Sequence, residues 1–159
     1  MFLSRPFEYK DLTDICKFPQ DENELYFMYP KADFPLTIEQ LQMSINNRSD
    51  STVVLLDNVV IGFANFYETK IGQYCSIGNV IINPLFRGKG AGIYLIGIME
   101  NIAIKKYNAN EIHISCFNQN VTGLLLYNKL GYLPYEIEKR LDKKSLPVAL
   151  IKMKKKIQK

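Results

Sequence analysis

The residues with the sharpest chemical signature are Arg87-Gly88-Lys89-Gly90-Ala91-Gly92, three glycines and two cations at a boundary between two textures. Before them, Tyr74 to Ile82 reads as a strand ended by Asn83 and Pro84; after them, Leu95, Met99 and Ile102 fall on one helical face. A glycine-rich turn between strand and helix offers free backbone N–H groups at the positive end of a helix dipole, a setting suited to phosphate. The nucleotide-hydrolase pattern GxxxxGK[ST] is absent. The dinucleotide pattern GxGxxG also fails, because Gly88 and Gly90 are followed by Ile93 where its last glycine should stand. Hydrolysis of nucleotides and hydride transfer therefore lose support, and a merely structural tight turn is the plain alternative.

A second block sharpens the choice. Asn120 and Tyr127 stand ahead of Gly131-Tyr132 in the spacing N-x6-Y-x3-GY. Together with NVIINPLFRGKGAGIYLI, whose core R-x-x-G-x-G is Arg87, Gly90 and Gly92, it resembles the acyl-CoA signature of the GNAT superfamily of N-acetyltransferases. The resemblance implies backbone groups of Val80, Ile81 and Ile82 along a pantetheine arm, with a bulge turning one N–H toward a thioester carbonyl. It implies Arg87, Gly88, Lys89, Gly90, Ala91, Gly92 and Ile93 around a pyrophosphate, Asn120 beside the pantetheine, and Tyr127 near the departing sulfur. A free tyrosine titrates near 10 and a thiol near 8.5, so hydrogen bonding to the thiolate suits Tyr127 better than full proton donation.

The activity implied is direct transfer of the acetyl group of acetyl-CoA to a primary amine, with no metal. A non-catalytic CoA-binding or interaction module is the reading from another class. The attacking amine must be neutral, which calls for a base or a water chain. Glu68 is a candidate, though a solvated strand-end carboxylate is its plainer reading; His113, the sole histidine, reads as exposed rather than catalytic. Where the family often has an acidic residue on the strand entering the site, this chain has Ile77, Gly78 and Asn79, a departure that weakens the case for a direct base.

The segment that receives the acceptor in that family holds Asp21, Glu22, Glu24 and Asp33 against Lys31 alone, with Tyr26, Phe27 and Tyr29 among them. Carboxylates and ring faces attract a cation, and a mobile, solvated loop is the equal alternative. Glu22, Glu24, Tyr26 and Tyr29 are thus the expected acceptor contacts, and a cationic small molecule or a peptide or protein terminus the expected acceptor.

These residues need a scaffold. Phe2, Leu3 and Phe7 suggest a strand, and Asp11 can cap a helix reaching Phe18; the stretch from Asp21 to Pro35 shows no period and reads as an irregular loop. Thr37 with Gln40 forms a capping-box pattern opening a helix to Asn47. Two strands then meet at Asp57-Asn58, a third runs from Tyr74 to Ile82, EIHISC alternates as another, and VTGLLLYNKL reads as a helix stopped at Gly131. Strands near Tyr132–Leu141 and Pro147–Met153 close the chain. Hairpins mixed with a crossover helix call for an α/β fold, and the resemblance specifies a single GNAT-type domain over 1–159: a mixed, mostly antiparallel twisted sheet flanked by helices.

Composition fits that reading. With 159 residues, 47% hydrophobic and 23% charged, the chain has the makeup of one folded domain. Cys16, Cys75 and Cys116 are odd in number and widely spaced, which suits a reducing cytoplasm and disfavours a disulfide framework or zinc site. The longest apolar stretch, Gly92 to Met99, is far short of a membrane span, and the amino end lacks a secretory pattern. Of the net charge of +4, five units come from Lys152, Lys154, Lys155, Lys156 and Lys159, so the rest carries −1. These lysines read as a solvated basic tail, and nucleic acid is disfavoured as a partner. A homodimer is compatible with the sequence.

Overall fold

The computed structural model of the chain describes residues 1–158. Seven strands form one sheet: β1 (Phe2–Pro6), β2 (Ser49–Leu56), β3 (Val59–Lys70), β4 (Tyr74–Ile82), β5 (Glu111–Phe117), β6 (Leu133–Leu141) and β7 (Pro147–Lys156). Their spatial order is β1-β2-β3-β4-β5-β7-β6. Every neighbouring pair is antiparallel except β4 with β5, joined through the crossover helix α4 (Ala91–Tyr107). The β2–β3 turn places Asp57 and Asn58 at positive φ, 50° and 65°, as a tight hairpin requires.

Helices cover both faces. One core cluster sets Leu95, Ile96, Met99 and Ala103 of α4, and Tyr127 of α5 (Val121–Lys129), against Val54, Ile61, Phe66, Ile77 and Ile114. The other sets α1 (Leu12–Ile15), α2 (Glu22–Met28) and α3 (Ile38–Asn46) against Val53, Val60, Phe63 and Ile81. β3 is buried on both sides from Val60 to Phe66, so it shows no alternation in the sequence.

Four expectations change. The N-terminal helix is shorter than Asp11–Phe18: a 3₁₀ turn (Tyr9–Asp11) leads into four residues of α1, because Asp11 turns inward to bind both Arg5 guanidinium nitrogens at 2.8 Å. The stretch expected to be irregular contains α2, capped by Asp21, whose carboxylate accepts from the Glu24 amide at 2.8 Å. The Thr37–Gln40 pair forms only half a capping box. Thr37 accepts from the Gln40 amide, while the Gln40 side chain binds the backbone of Asp33 and Pro35 instead. The basic tail is strand up to Lys156: Lys152 pairs with Glu136 and Glu138, Lys155 with Glu100, and Lys154 rests over the Tyr135 ring. Lys159 lies outside the described residues.

Two features of β4 shape the site. Its pairing with β5 runs only from Tyr74↔Glu111 to Ile77↔Ile114, although both strands continue. Beyond Ile77 the strands part, and backbone groups on that edge of β4 lack ladder partners. Opposite β3, the register slips between Phe63↔Ile81 and Asn65↔Gly78, leaving one extra residue on β4 at Asn79, whose φ is 52°. Cys75 and Ile77 face α4, but past the bulge Ile81 faces α1–α3 while Val80 and Ile82 pack on the α4 side.

Candidate active site

A groove of about 650 Å³ opens where β4 and β5 part. Val80, Ile81 and Ile82 form one wall, the glycine loop and the start of α4 its end, and the start of α5 with Asn120 the other wall. Arg87, Gly88, Gly90, Ala91, Gly92 and Ile93 all line it. Lys89 does not, and its ammonium lies over the Phe86 ring. Gly90 caps α4 with a φ of 91°, a left-handed conformation costly for a residue with a side chain. First-turn amides of a helix have no intrahelical acceptor, so this loop turns donors into the groove. Amides, dipole and cavity size together fit a phosphate-bearing ligand with a long arm.

Arg87 is not free to follow such a ligand. Its Nη2 donates to Glu24 at 2.8 Å and its Nε to the Ile82 carbonyl at 3.0 Å, which straps α2 to the end of β4. Asn120 caps α5 by accepting from the Gly123 amide at 3.0 Å. At the other end of α5, Gly131 at φ 95° closes the helix, with the Tyr132 amide donating to the Tyr127 carbonyl and the Gly131 amide to that of Asn128. The GY pair thus ends the helix and supplies Tyr132, wholly buried and packed edge-on against Tyr127 at 6.3 Å between ring centres.

Tyr127 is 6% exposed, and its hydroxyl makes no hydrogen bond to a described residue. Burial first, and the neighbouring Cys116 second, push its pKa well above that of a free tyrosine, so it stays a donor. Burial also pushes the Cys116 thiol up to about 12 and those of Cys16 and Cys75 to about 11, Glu39 and Asp50 adding to the latter two. None of the three is poised as a nucleophile.

A second cavity of about 390 Å³ lies on the α2–β6 side of the same junction. Phe27, Met28, Val80, Asn120 and Tyr127 border both spaces. The second is otherwise lined by Lys31, Arg48, Tyr67, Gly78, Asn79, Ser115, Arg140 and Lys152, with the apolar Pro30, Ile77, Ile114, Phe117 and Leu150. Of the expected acceptor residues, Glu24 borders the groove, while Glu22, Tyr26 and Tyr29 border neither space. Glu22 is an exposed first-turn residue of α2, Tyr26 stacks on Phe117, and Tyr29 is buried in the core beside α1. Glu68 is exposed and accepts from Tyr74; His113 is half-buried, stacked on Tyr74 at 4.1 Å and 3.0 Å from Glu111. Neither lines either of these two cavities.

Sequence reasoning missed Gln119, Thr122 and Leu126 in the groove and Arg48, Tyr67 and Arg140 beyond it. The first three had a usable signal, since the start of α5 follows directly on Asn120. Arg48 had none.

Among the described residues no helix is long and apolar enough to cross a membrane. No curated protein matches the sequence significantly. Solved structures are similar in fold. A GNAT-family acetyltransferase from Bacillus anthracis has 19% identity and a TM-score of 0.79 over 98% of this chain and 94% of that one. Ribosomal-protein-alanine N-acetyltransferase from Brucella melitensis has 17% and 0.77 over 98% and 99%. Spermidine N-acetyltransferase from Vibrio cholerae, solved with CoA and spermine, has 19% and 0.77 over 98% and 95%. The model of the acetyltransferase (GNAT) family matches residues 12–132, which takes in the glycine loop, the parted strands and both marks of the second block, Asn120 and Tyr127, so the chain belongs to the GNAT acetyltransferase family.

Proposed function

We propose that the protein transfers the acetyl group of acetyl-CoA directly to a primary amine. The observation that carries this reading is that two cavities of different character share one boundary at Val80, Asn120 and Tyr127. A donor in the groove and an acceptor in the second space would meet there, and direct transfer needs both reactants at one point.

The residues divide the work. The loop from Gly88 to Ile93 and the first turn of α4 receive the pyrophosphate, and the unpaired edge of β4 receives the amide-bearing arm. Backbone N–H at the bulge beside Val80 polarises the thioester carbonyl as negative charge develops on its oxygen. The amine nitrogen bonds to the carbonyl carbon, the carbon–sulfur bond breaks, and the sulfur leaves as thiolate, accepting a hydrogen bond from Tyr127. Among the described residues lining the second cavity there is no carboxylate or imidazole, which favours a water route for the proton lost by the amine.

Calorimetry with acetyl-CoA, followed by thiol release in the presence of an amine panel, tests the reading. Binding with amine-dependent release supports it. Binding with no release from any amine marks a CoA-binding module, and no binding at millimolar acetyl-CoA removes the reading altogether.

A further inference from the structure

The second cavity has the wrong charge for a cationic acceptor. Its charged lining is Lys31, Arg48, Arg140 and Lys152, with no carboxylate among them. Two of these cations are already compensated: Lys152 lies 2.7 Å from Glu136 and 3.1 Å from Glu138, and Arg140 lies 2.5 Å from Glu138. Lys31 and Arg48 have no acidic partner among the described residues.

Arg48 is the informative one. It follows α3, is half-buried, and is held by neutral groups only. Its Nη1 donates to Asn65 Oδ1 at 3.2 Å, and its guanidinium lies over the Tyr67 ring at 5.6 Å. It fits because position 78 is glycine: a Cβ there would stand 2.5 Å from Arg48 Nη1 and 2.8 Å from the Tyr67 ring. Asn65 is in turn fixed by Asn79, which binds Ser44 and the Met28 carbonyl. Burial disfavours this charge, and no carboxylate among the described residues offsets that cost. A guanidinium held in place, partly desolvated and facing a cavity is a ready partner for an oxyanion.

We infer that the amine acceptor also carries an anionic group, a carboxylate or phosphate, and that Arg48, assisted by Lys31, binds it while the amine points toward Tyr127. The inference rests on the acetyl-transfer reading above and names its substrate class. It replaces the cationic acceptor expected from Glu22 and Glu24, which lie outside this cavity.

Four amines alike in length test it: 6-aminohexanoate, 6-aminohexyl phosphate, hexylamine and 1,6-diaminohexane, with thiol release as the readout. The two acids separate a carboxylate from a phosphate as the preferred group. The expected result is a kcat/KM for at least one acid about tenfold or more above both other amines, the difference lying in KM. Arg48→Gln should raise that KM about tenfold and leave the acetyl-CoA dissociation constant and the KM for hexylamine unchanged, with Arg48→Lys recovering part of the loss. Hexanoate and hexyl phosphate, titrated by calorimetry into wild type and Arg48→Gln, give a readout that needs no turnover. The inference is overturned if neutral or dicationic amines are preferred, if Arg48→Gln weakens all four amines alike, or if neither anion binds the wild type at millimolar concentration. Loss of acetyl-CoA binding in wild type would instead mark failure of the transferase reading.

Discussion

Glu24 Oε1 and Arg87 Nη2 lie 2.8 Å apart, although 63 positions separate the residues in the sequence. The pair joins the helix expected to select the acceptor to the loop expected to hold the pyrophosphate. Glu24 therefore lies on the side of the groove proposed for the donor, and it already neutralises part of the Arg87 charge that a phosphate there would meet.

From this pair follows the first prediction. Arg87→Ala should weaken acetyl-CoA binding about three- to tenfold, whereas Glu24→Gln should leave it unchanged or tighten it at low salt, because a carboxylate beside the phosphate is removed. Both side chains are partly exposed, so their coupling is expected at about 0.2–1 kcal/mol. Glu22→Gln should change neither donor nor acceptor constants. Calorimetry on the two single variants and the double variant at two salt concentrations measures this, and clear weakening by Glu24→Gln would make the pair a required clamp.

Gly90 separates backbone conformation from space. A Cβ there would meet only the Phe2 ring at 3.8 Å, so bulk is not the obstacle within the protein; the φ of 91° is. Gly90→Ala should cost about 1–2 kcal/mol of stability. Gly90→Asn, which tolerates this region better, should fold with a smaller loss. Gly90→Asp should lose acetyl-CoA binding outright, since its charge faces the phosphate end of the groove. Thermal melts beside binding isotherms distinguish the two effects, and unchanged affinity in folded Gly90→Asp would make the loop merely a connection.

Tyr127→Phe keeps the packing against Tyr132 and removes one donor. Turnover should fall about 10²- to 10⁴-fold with acetyl-CoA affinity little changed. The raised pKa fixes the sign of the pH dependence. A hydroxyl titrating above its ordinary value remains protonated through pH 10, so the alkaline side of the wild-type rate profile should show no loss from this group. A falling limb near pH 9 that disappears in Tyr127→Phe would contradict the burial argument.

Asp11 governs acid stability. Burial raises its pKa, but hydrogen bonds from Arg5 and the Glu8 amide outweigh burial and hold it below the usual carboxylate value. A carboxylate depressed in the folded state stabilises above its unfolded pKa of about 3.9, and that contribution disappears as pH falls through the folded value. Asp11→Asn should cost about 1–3 kcal/mol at pH 7 and progressively less below pH 4. Denaturant melts at pH 7 and pH 3 measure it, and an equal cost at both would assign the effect to shape rather than charge.

The two halves of the site were legible to different degrees, for a physical reason. The half proposed for the donor is local: Arg87 to Ile93 is one loop, Val80 to Ile82 one strand end, and Asn120 to Tyr127 the start and body of one helix, short stretches on which the GNAT resemblance could rest. The half proposed for the acceptor is assembled by the sheet. Lys31 follows α2, Arg48 follows α3, and Arg140 and Lys152 come from β6 and β7, which reach the site only because β7 inserts beside β5. No spacing within the chain announces that meeting. α2 was hidden differently: it has seven residues, and its aromatics and following proline obscure the period, although Asp21 with Glu24 is a start signal. The C-terminal lysines misled because charge at a chain end suggests solvent, while β7 spends most of them on carboxylates and rings.

The extra residue at Asn79 makes β4 a strand with two phases. Ahead of it, odd-numbered side chains point toward α4; behind it, even-numbered ones do. Deleting Asn79 would leave the hydrophobic composition untouched and restore strict alternation along β4 and a regular ladder with β3, with Val80 and Ile82 still toward α4 and Ile81 still toward α1–α3, but it would remove the bulge that turns the backbone beside the groove. The same deletion would release Ser44, Asn65 and the Met28 carbonyl from their shared partner. The extra residue is thus a device of the main chain rather than of the core: without it the inside and outside of β4 stay as they are, and what is lost is the turned backbone and the one side chain that ties β3 to α2 and α3.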